Sequence, residues 1–347
     1  MVAESASGTC PQGRGRRCKS YPHLMTPKEF IENRLEKVKE VPVISCGYDT
    51  KDIQAEILRL LLSKKFRKYS ANESLIAHCK NAIAVRVEKN EPINITFVHG
   101  GYKLWRLKES PYVDWAELFA LMYYTNWVKS ICAVYEPGVH FDFFVDDWIV
   151  PILNNVSEDD VNSYIGSYRE LLSFLKSYQP KNLDMTITPV GSCFESRASF
   201  DEMLASEMTK LDGEGLADLD EAHRAMVELN VKVTPEQEAD PLWREKVWQI
   251  HRAYMPVKAS PKYHKCEDKI VAFTQPLSSG TTISVGTTKS SIMKFWVGAG
   301  ALKSKGDSFI EIILSPSRLE LTDFDVEELS IGGLTGKNFG SIRVLRS

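Results

Sequence analysis

Between Ile93 and Thr188 the chain alternates three short apolar runs with two longer helical patterns. This order restricts the fold more than any other feature of the sequence. The apolar runs are Ile93–Val98, Val139–Val145 and Leu183–Thr188, and the helical patterns span about Asp114–Val134 and Glu158–Ser177. Ser157 is placed to cap the second helix, with Asp160 at its third position. Strands joined through helices form a parallel sheet with right-handed crossovers. The three strand ends, His99-Gly100-Gly101, Asp146-Asp147 and Pro189-Val190-Gly191-Ser192, should therefore open onto one edge. Ligands in such sheets bind outside the carboxyl ends of the strands. The expected fold is α/β, a Rossmann-like parallel sheet flanked by helices, with an α+β C-terminal portion.

The remaining segments suggest three parts. Residues 1-24 are Gly-, Ser- and Arg-rich without periodicity and read as a flexible tail. Residues 25-198 form the Rossmann-like domain. It opens at Thr26-Pro27-Lys28-Glu29, a capping box with proline at the first helical position. Helical patterns near Lys51–Lys68 and Glu73–Glu88 follow. Residues 199-347 read first as acidic helices up to Tyr254, with Trp243 and Trp248 on the last. Strands are then expected at Lys269–Thr274, Thr281–Val285 and Phe309–Leu314.

A chain of 347 residues, 43% of them hydrophobic, can bury a sizeable core. A net charge of −3 gives no bulk reason to expect nucleic acid or an anionic membrane as partner. The seven cysteines are scattered without a CxxC pair, which favours reduced thiols and a cytoplasmic setting over a zinc ribbon or a disulfide framework. No apolar run is long enough to span a bilayer, and no signal-peptide apolar region is visible. A homodimer is compatible with this reading.

Four constellations could carry chemistry. Gly100-Gly101-Tyr102-Lys103 could bring backbone amides and an ammonium to a phosphate or carboxylate, or be a tight turn with a solvated lysine. Asp114 and Glu117 share a helix face. One acid is explained by the helix dipole, whereas Glu117, between Trp115-Ala116 and Leu118-Phe119, should have a raised pKa if buried. Asp146-Asp147 could hold an amine, sugar hydroxyls or a divalent cation, or cap the following turn. Gly286-Thr287-Thr288-Lys289-Ser290-Ser291 fails the Walker pattern, leaving a hydroxyl-rich phosphate pocket or a polar turn. His99 is the best placed histidine; His78, His140, His223 and His251 fall within expected elements.

The middle of the chain resembles the isonitrile synthases, also called the pyoverdine/dityrosine biosynthesis family. The matching residues are Val113-Asp114-Trp115-Ala116-Glu117-Leu118, then Ile131 to Gly138 with its Tyr135-Glu136-Pro137-Gly138 turn, then Phe144-Val145-Asp146-Asp147. Val156 to Tyr164 resembles the segment that follows, and Lys103 matches a lysine shortly before the Asp-x-x-Glu helix. The resemblance covers about Ile93 to Tyr178. Val113 replaces a proline, Asp147-Trp148 replaces the glycine of Ser-Asp-Gly, and Gly-Gly-Tyr-Lys stands where the family has Phe-Lys-Ser.

The resemblance implies that an amino acid amine condenses with the ketone of ribulose 5-phosphate. The imine then loses phosphate and fragments to an isonitrile. On this reading Lys103, with Arg106 or Lys289, holds the phosphate, and Glu117 and His99 move protons. Asp146 or Asp147 binds the amine or the sugar hydroxyls, with Gly100, Gly101, Tyr102 and Asp114 completing the substrate site. No redox cofactor or metal is required. The charge of Asp147 would favour a polar or basic amino acid over tyrosine or tryptophan. Two alternatives are a transferase using a nucleotide-type cosubstrate such as S-adenosylmethionine, and a non-catalytic small-molecule sensor or binding protein.

Overall fold

The computed structural model describes residues 25–40, 50–100, 102–107, 111–211, 231–232, 234–258, 268–274, 280–286, 295 and 297–346. Among the described residues three helices come before the first strand: α1 (Pro27–Lys39), α2 (Thr50–Leu61) and α3 (Glu73–Glu88). The capping box forms at α1, with Thr26 accepting from the Glu29 amide and the Glu29 carboxylate accepting from the Thr26 amide. α2 ends earlier than its pattern suggests. The chain from Phe66 to Lys68 instead pairs with the stretch Ser284–Gly286 through an Arg67–Val285 bridge, so a sheet edge outcompetes the last helical turns.

β1 (Ile93–His99), the short helix α4 (Tyr102–Arg106), α5 (Trp115–Val134), β2 (Val139–Val145), α6 (Ile149–Asn154), α7 (Glu158–Leu175) and β3 (Leu183–Pro189) form the expected strand–helix alternation. The three strands are parallel, with Ile93 opposite Val139 and Val139 opposite Leu183. One sheet face carries Ile95, Phe97, Phe141 and Phe143. It packs on α5 and α7, where the ring of Tyr124 lies 5.1 Å from those of Phe97 and Phe141, and Tyr168 lies 5.4 Å from Phe143. Strands covered on both faces need apolar residues on both. The second face supplies Val98 and Phe144, which join a separate cluster with Phe200, Val247, Ile250 and Tyr254. Those four come from α8 (Arg197–Leu211) and, beyond α9 (Pro235–Ala239), from α10 (Pro241–Lys258).

From α10 the chain continues to the opposite side of β1. There it adds β4 (Lys269–Phe273) and β5 (Thr282–Ser284), giving a five-stranded parallel sheet of order β3-β2-β1-β4-β5. These two strands, grouped with residues 199-347 by residue pattern alone, belong to the same sheet as β1. The order reverses beside β1, which is where a ligand crevice is expected.

A second sheet follows, with order β7-β6-β9-β8 and built from β6 (Ala299–Lys305), β7 (Ser308–Leu314), β8 (Asp325–Glu328) and β9 (Ser341–Leu345). α11 (Pro316–Leu321) links β7 to β8. Of these strands only β7 is expected from sequence reading, although β9, Ser-Ile-Arg-Val-Leu, carries β-branched residues at alternate positions. β6 reads Ala-Gly-Ala-Leu-Lys-Ser-Lys and has no β-branched residue. Its Gly300 explains why: a Cβ there would lie 2.3 Å from the Ala116 amide, so β6 meets the start of α5 backbone to backbone. Among the described residues no helix is long and apolar enough to cross a membrane.

Candidate functional site

Beyond β1, sequence reading expects an open basic loop, but the structure folds Tyr102–Arg106 into the short helix α4. The helix turns Lys103 inward, where it is 2% exposed. Its Nζ lies 2.8 and 2.7 Å from Glu117 Oε1 and Oε2 and 3.0 Å from Asp114 Oδ1. An ammonium has three donors, and three oxygens occupy them. No donor is left for the phosphate expected at Lys103.

The acids are held by the start of α5. Asp114 is the N-cap, and its Oδ1 accepts from the Ala116 amide at 2.7 Å and from the Gly300 amide at 3.3 Å. Glu117 Oε2 accepts from the Asp114 amide at 2.8 Å, which completes a capping box of two acids. Tyr164 of α7 donates its hydroxyl to Glu117 Oε1 at 3.1 Å. Dipole and capping therefore account for both acids locally, and Lys103 joins them from another element.

One ammonium cannot neutralise two carboxylates in a closed site. Glu117 is wholly buried, and burial pushes its carboxyl from 4.5 up to about 7 against the opposing pull of Lys103, with Asp114 adding a like charge. Burial pulls the Lys103 ammonium down. Asp114 and Glu117 push it up by more, so it is raised and stays charged. The Tyr164 and Tyr168 hydroxyls are held well above their ordinary range by burial and by the nearby Glu117 carboxylate.

His99, at the end of β1, is 1% exposed and sits among aromatic rings. Tyr168 stacks on it at 5.9 Å, and Tyr164 and Phe295 approach edge-on at 6.3 and 5.3 Å. Tyr164 thus touches both His99 and Glu117. Asp146 is buried on the other side of the strand end, where its amide donates to the His99 carbonyl and its Oδ1 accepts from the Tyr254 hydroxyl at 2.8 Å. Gly100 lies against it, with the position of a Cβ 3.6 Å from Asp146 Oδ2. Asp147 diverges. Its Oδ1 accepts from the Gly191 amide at 2.9 Å and fastens the turn after β3. It ties a turn 44 residues away rather than capping the turn that follows it, where the helix α6 has no side-chain cap, and burial raises its pKa.

The structure therefore brings Lys103, Asp114 and Glu117 into contact and places His99, Gly100 and Asp146 at the adjoining strand ends. Arg106 is half-buried at the end of α4. Gly101, the Tyr102 side chain and Lys289 lie outside the described residues. Sequence reading assigned no role to Tyr164 or Tyr254, nor to Asp142, a buried β2 acid that accepts from the Thr186 and Thr188 hydroxyls at 2.7 Å each. A signal existed for Tyr164: it lies on the apolar stripe Val161, Tyr164, Ile165, Tyr168, Leu172 of α7. None existed for Tyr254, whose partner is 108 residues away. Among the described residues no group of three His, Cys, Asp or Glu is arranged to hold a metal ion.

No protein-family model matches this chain, and no curated protein matches it in sequence. Among solved structures it is similar to the PvcA protein from Pseudomonas aeruginosa, with a TM-score of 0.49 and 14% identity over 84% of this chain and 99% of that one.

Proposed function

We propose that this protein is an isonitrile-synthase-like biosynthetic enzyme that joins the amine of a free amino acid to the ketone of ribulose 5-phosphate. The observation that carries the reading is Glu117, a buried carboxyl raised to about 7 and bonded at once by Lys103 and Tyr164 beside the carboxyl end of β1. The Asp-x-x-Glu helix start and the Tyr-Glu-Pro-Gly turn, which resemble that family, support it. Imine formation from an amine and a ketone makes a carbon–nitrogen bond and expels water. It needs a group that takes a proton from the amine and returns one to the departing hydroxyl, and a carboxyl that titrates near neutrality does both. Glu117 has that role here. Lys103 stays charged and orients the two acids rather than acting as a nucleophile. Asp146, held by Tyr254, is the amine-binding carboxylate. The reaction requires no added metal or redox cofactor.

The closure of the Lys103–Glu117 pair favours a second reading, a binding protein on the same fold in which the ion cluster only locks α4 to α5. The deciding experiment incubates purified protein with ribulose 5-phosphate and each of the twenty amino acids and follows phosphate release. Release with one amino acid, abolished in Glu117→Gln, supports the enzyme. No release above background with any of them rejects the reaction and leaves the binding protein.

A further inference from the structure

β3 is the outer strand of the five-stranded sheet, and among the described residues β2 is its one strand neighbour. The Val139 amide donates to the Asn182 carbonyl at 3.0 Å. Main-chain groups alternate sides along a strand, so Asp184, Thr186 and Thr188 turn theirs to β2, and Leu183, Met185 and Ile187 turn theirs outward. The Pro180 carbonyl takes the Leu183 amide. Among the described residues nothing bonds to the outward main chain of Met185 or Ile187. A groove of about 340 Å³ runs along this edge, lined by Leu183, Met185 and Ile187 of β3 and by Arg169, Ser173 and Lys176 at the end of α7. We propose that the edge takes an extended acidic segment of a partner protein as a sixth strand.

An open edge is a template for another strand, and strand addition is a recurring way of binding peptides. The charge of the groove selects which strand. Arg169, Ser173 and Lys176 recur on one face of the helix end, which sets the two cations roughly 10 Å apart along the groove. Both are exposed, and neither has an ion-pair partner among the described residues. Side chains on one face of an added strand lie about 6.6 Å apart, so acids at alternate positions come within reach of both cations. The acid in the groove, Asp184, belongs to the other face of the sheet, where its Oδ2 lies 3.2 Å from His140 Nδ1. The incoming strand therefore carries acids on the α7 face and neutral residues on the Asp184 face. A second copy of the chain does not fit. Antiparallel pairing of β3 with itself would set Arg169 and Lys176 against the same residues of the other copy, and like charges at one contact repel.

The test is fluorescence anisotropy with a labelled octapeptide of alternating Thr and Glu. Beside it run a Thr–Lys peptide of the same length and two N-methylated Thr–Glu forms, one methylated at every Glu amide and one at every Thr amide. The Thr–Glu peptide should bind the wild type and the control Lys305→Gln alike. It should weaken about 10-fold or more in Arg169→Gln/Lys176→Gln, a variant that keeps the fold because both residues are exposed. Every second amide of an added strand faces β3, so one methylated form should lose binding and the other keep it. Hydrogen exchange at the Met185 and Ile187 amides should slow when the peptide binds. No binding of the Thr–Glu peptide, equal binding of the Thr–Lys peptide, or unchanged exchange at those amides overturns the proposal. Equal behaviour of the two methylated forms also overturns it, because the cations would then hold an anion without a strand. If the protein sediments as a dimer that the peptide splits, the edge belongs to a second copy and the proposal falls.

Discussion

Lys103 Nζ and Glu117 Oε2 stand 2.7 Å apart in a site that solvent does not reach, although fourteen residues separate them in the chain. α4 turns the lysine inward, and the capping geometry of α5 aims the glutamate at it. A third group, Asp114, completes the contact from the N-cap. The site therefore exists only while α4, α5 and α7 stay packed together.

Removing the lysine should expose this dependence. Lys103→Met leaves two buried carboxylates without their cation, and breaking a buried pair costs about 3–5 kcal/mol. Urea unfolding should show that loss. The double variant Lys103→Met/Glu117→Gln should recover part of it, because the uncompensated charge is gone. Full additivity of the two substitutions would contradict a direct coupling.

Stability should fall as pH rises through the range where Glu117 titrates. Its carboxyl is raised from 4.5 to about 7 in the folded protein, so between these values the folded state binds more protons than the unfolded chain. Below about pH 4.5 both states are protonated and Glu117 costs nothing. Above about pH 7 the full cost is present, on the order of 3 kcal/mol for a shift of this size. Denaturation midpoints measured from pH 5 to 8 should decline in the wild type, and this part of the slope should vanish in Glu117→Gln.

Catalytically, Glu117→Gln keeps the shape and removes the titrating proton. Loss of a general acid–base group typically lowers the rate about 10²–10⁴-fold. If the proposed reaction is the protein's own, phosphate release should fall by that factor, while calorimetric binding of ribulose 5-phosphate stays within about threefold. Equal loss of binding and rate would instead mark Glu117 as a structural residue.

Tyr164→Phe deletes one hydroxyl that donates to Glu117 at 3.1 Å. The expected cost is about 1–2 kcal/mol. Losing a donor to the carboxylate should also push the Glu117 pKa further up. The acidic limb of the rate profile should then move to higher pH, a displacement that loss of packing alone would not produce.

Gly300→Ala places a methyl 2.3 Å from the Ala116 amide and 2.4 Å from the Trp115 carbonyl carbon, both backbone atoms that cannot rotate away. Overpacking costs about 1–3 kcal/mol where side chains can adjust, and here the upper end or more is expected. A thermal melt should show a large drop in midpoint. The substituted protein should also lose the hydrogen bond from the amide at position 300 to Asp114, which lower hydrogen-exchange protection of that amide than in the wild type would report.

The sequence by itself determined the parallel sheet and the identity of its edge. Period-two apolar runs and helical stripes are local patterns, and the handedness of the crossover leaves little freedom in arranging them. It also marked Glu117, because a carboxylate in apolar company on a helix start has few places to go but inward. The tertiary structure decided the rest. Lys103 reads as a loop cation until α4 forms and turns it inward. Asp147, read as a ligand-binding acid or a cap of the following turn, is instead tied to a glycine amide 44 residues away. β4 and β5 look like members of a separate portion, yet β4 pairs with β1 and β5 with β4. Tyr254 and Asp146 meet across 108 residues, and a glycine-rich loop with Lys337 is brought to Asp114 by a sheet two of whose strands, β6 and β8, carry little propensity signal. Each of these contacts is non-local, and residue preference reports only on neighbours along the chain. Charge pairing inside a closed core depends instead on which elements the fold presses together.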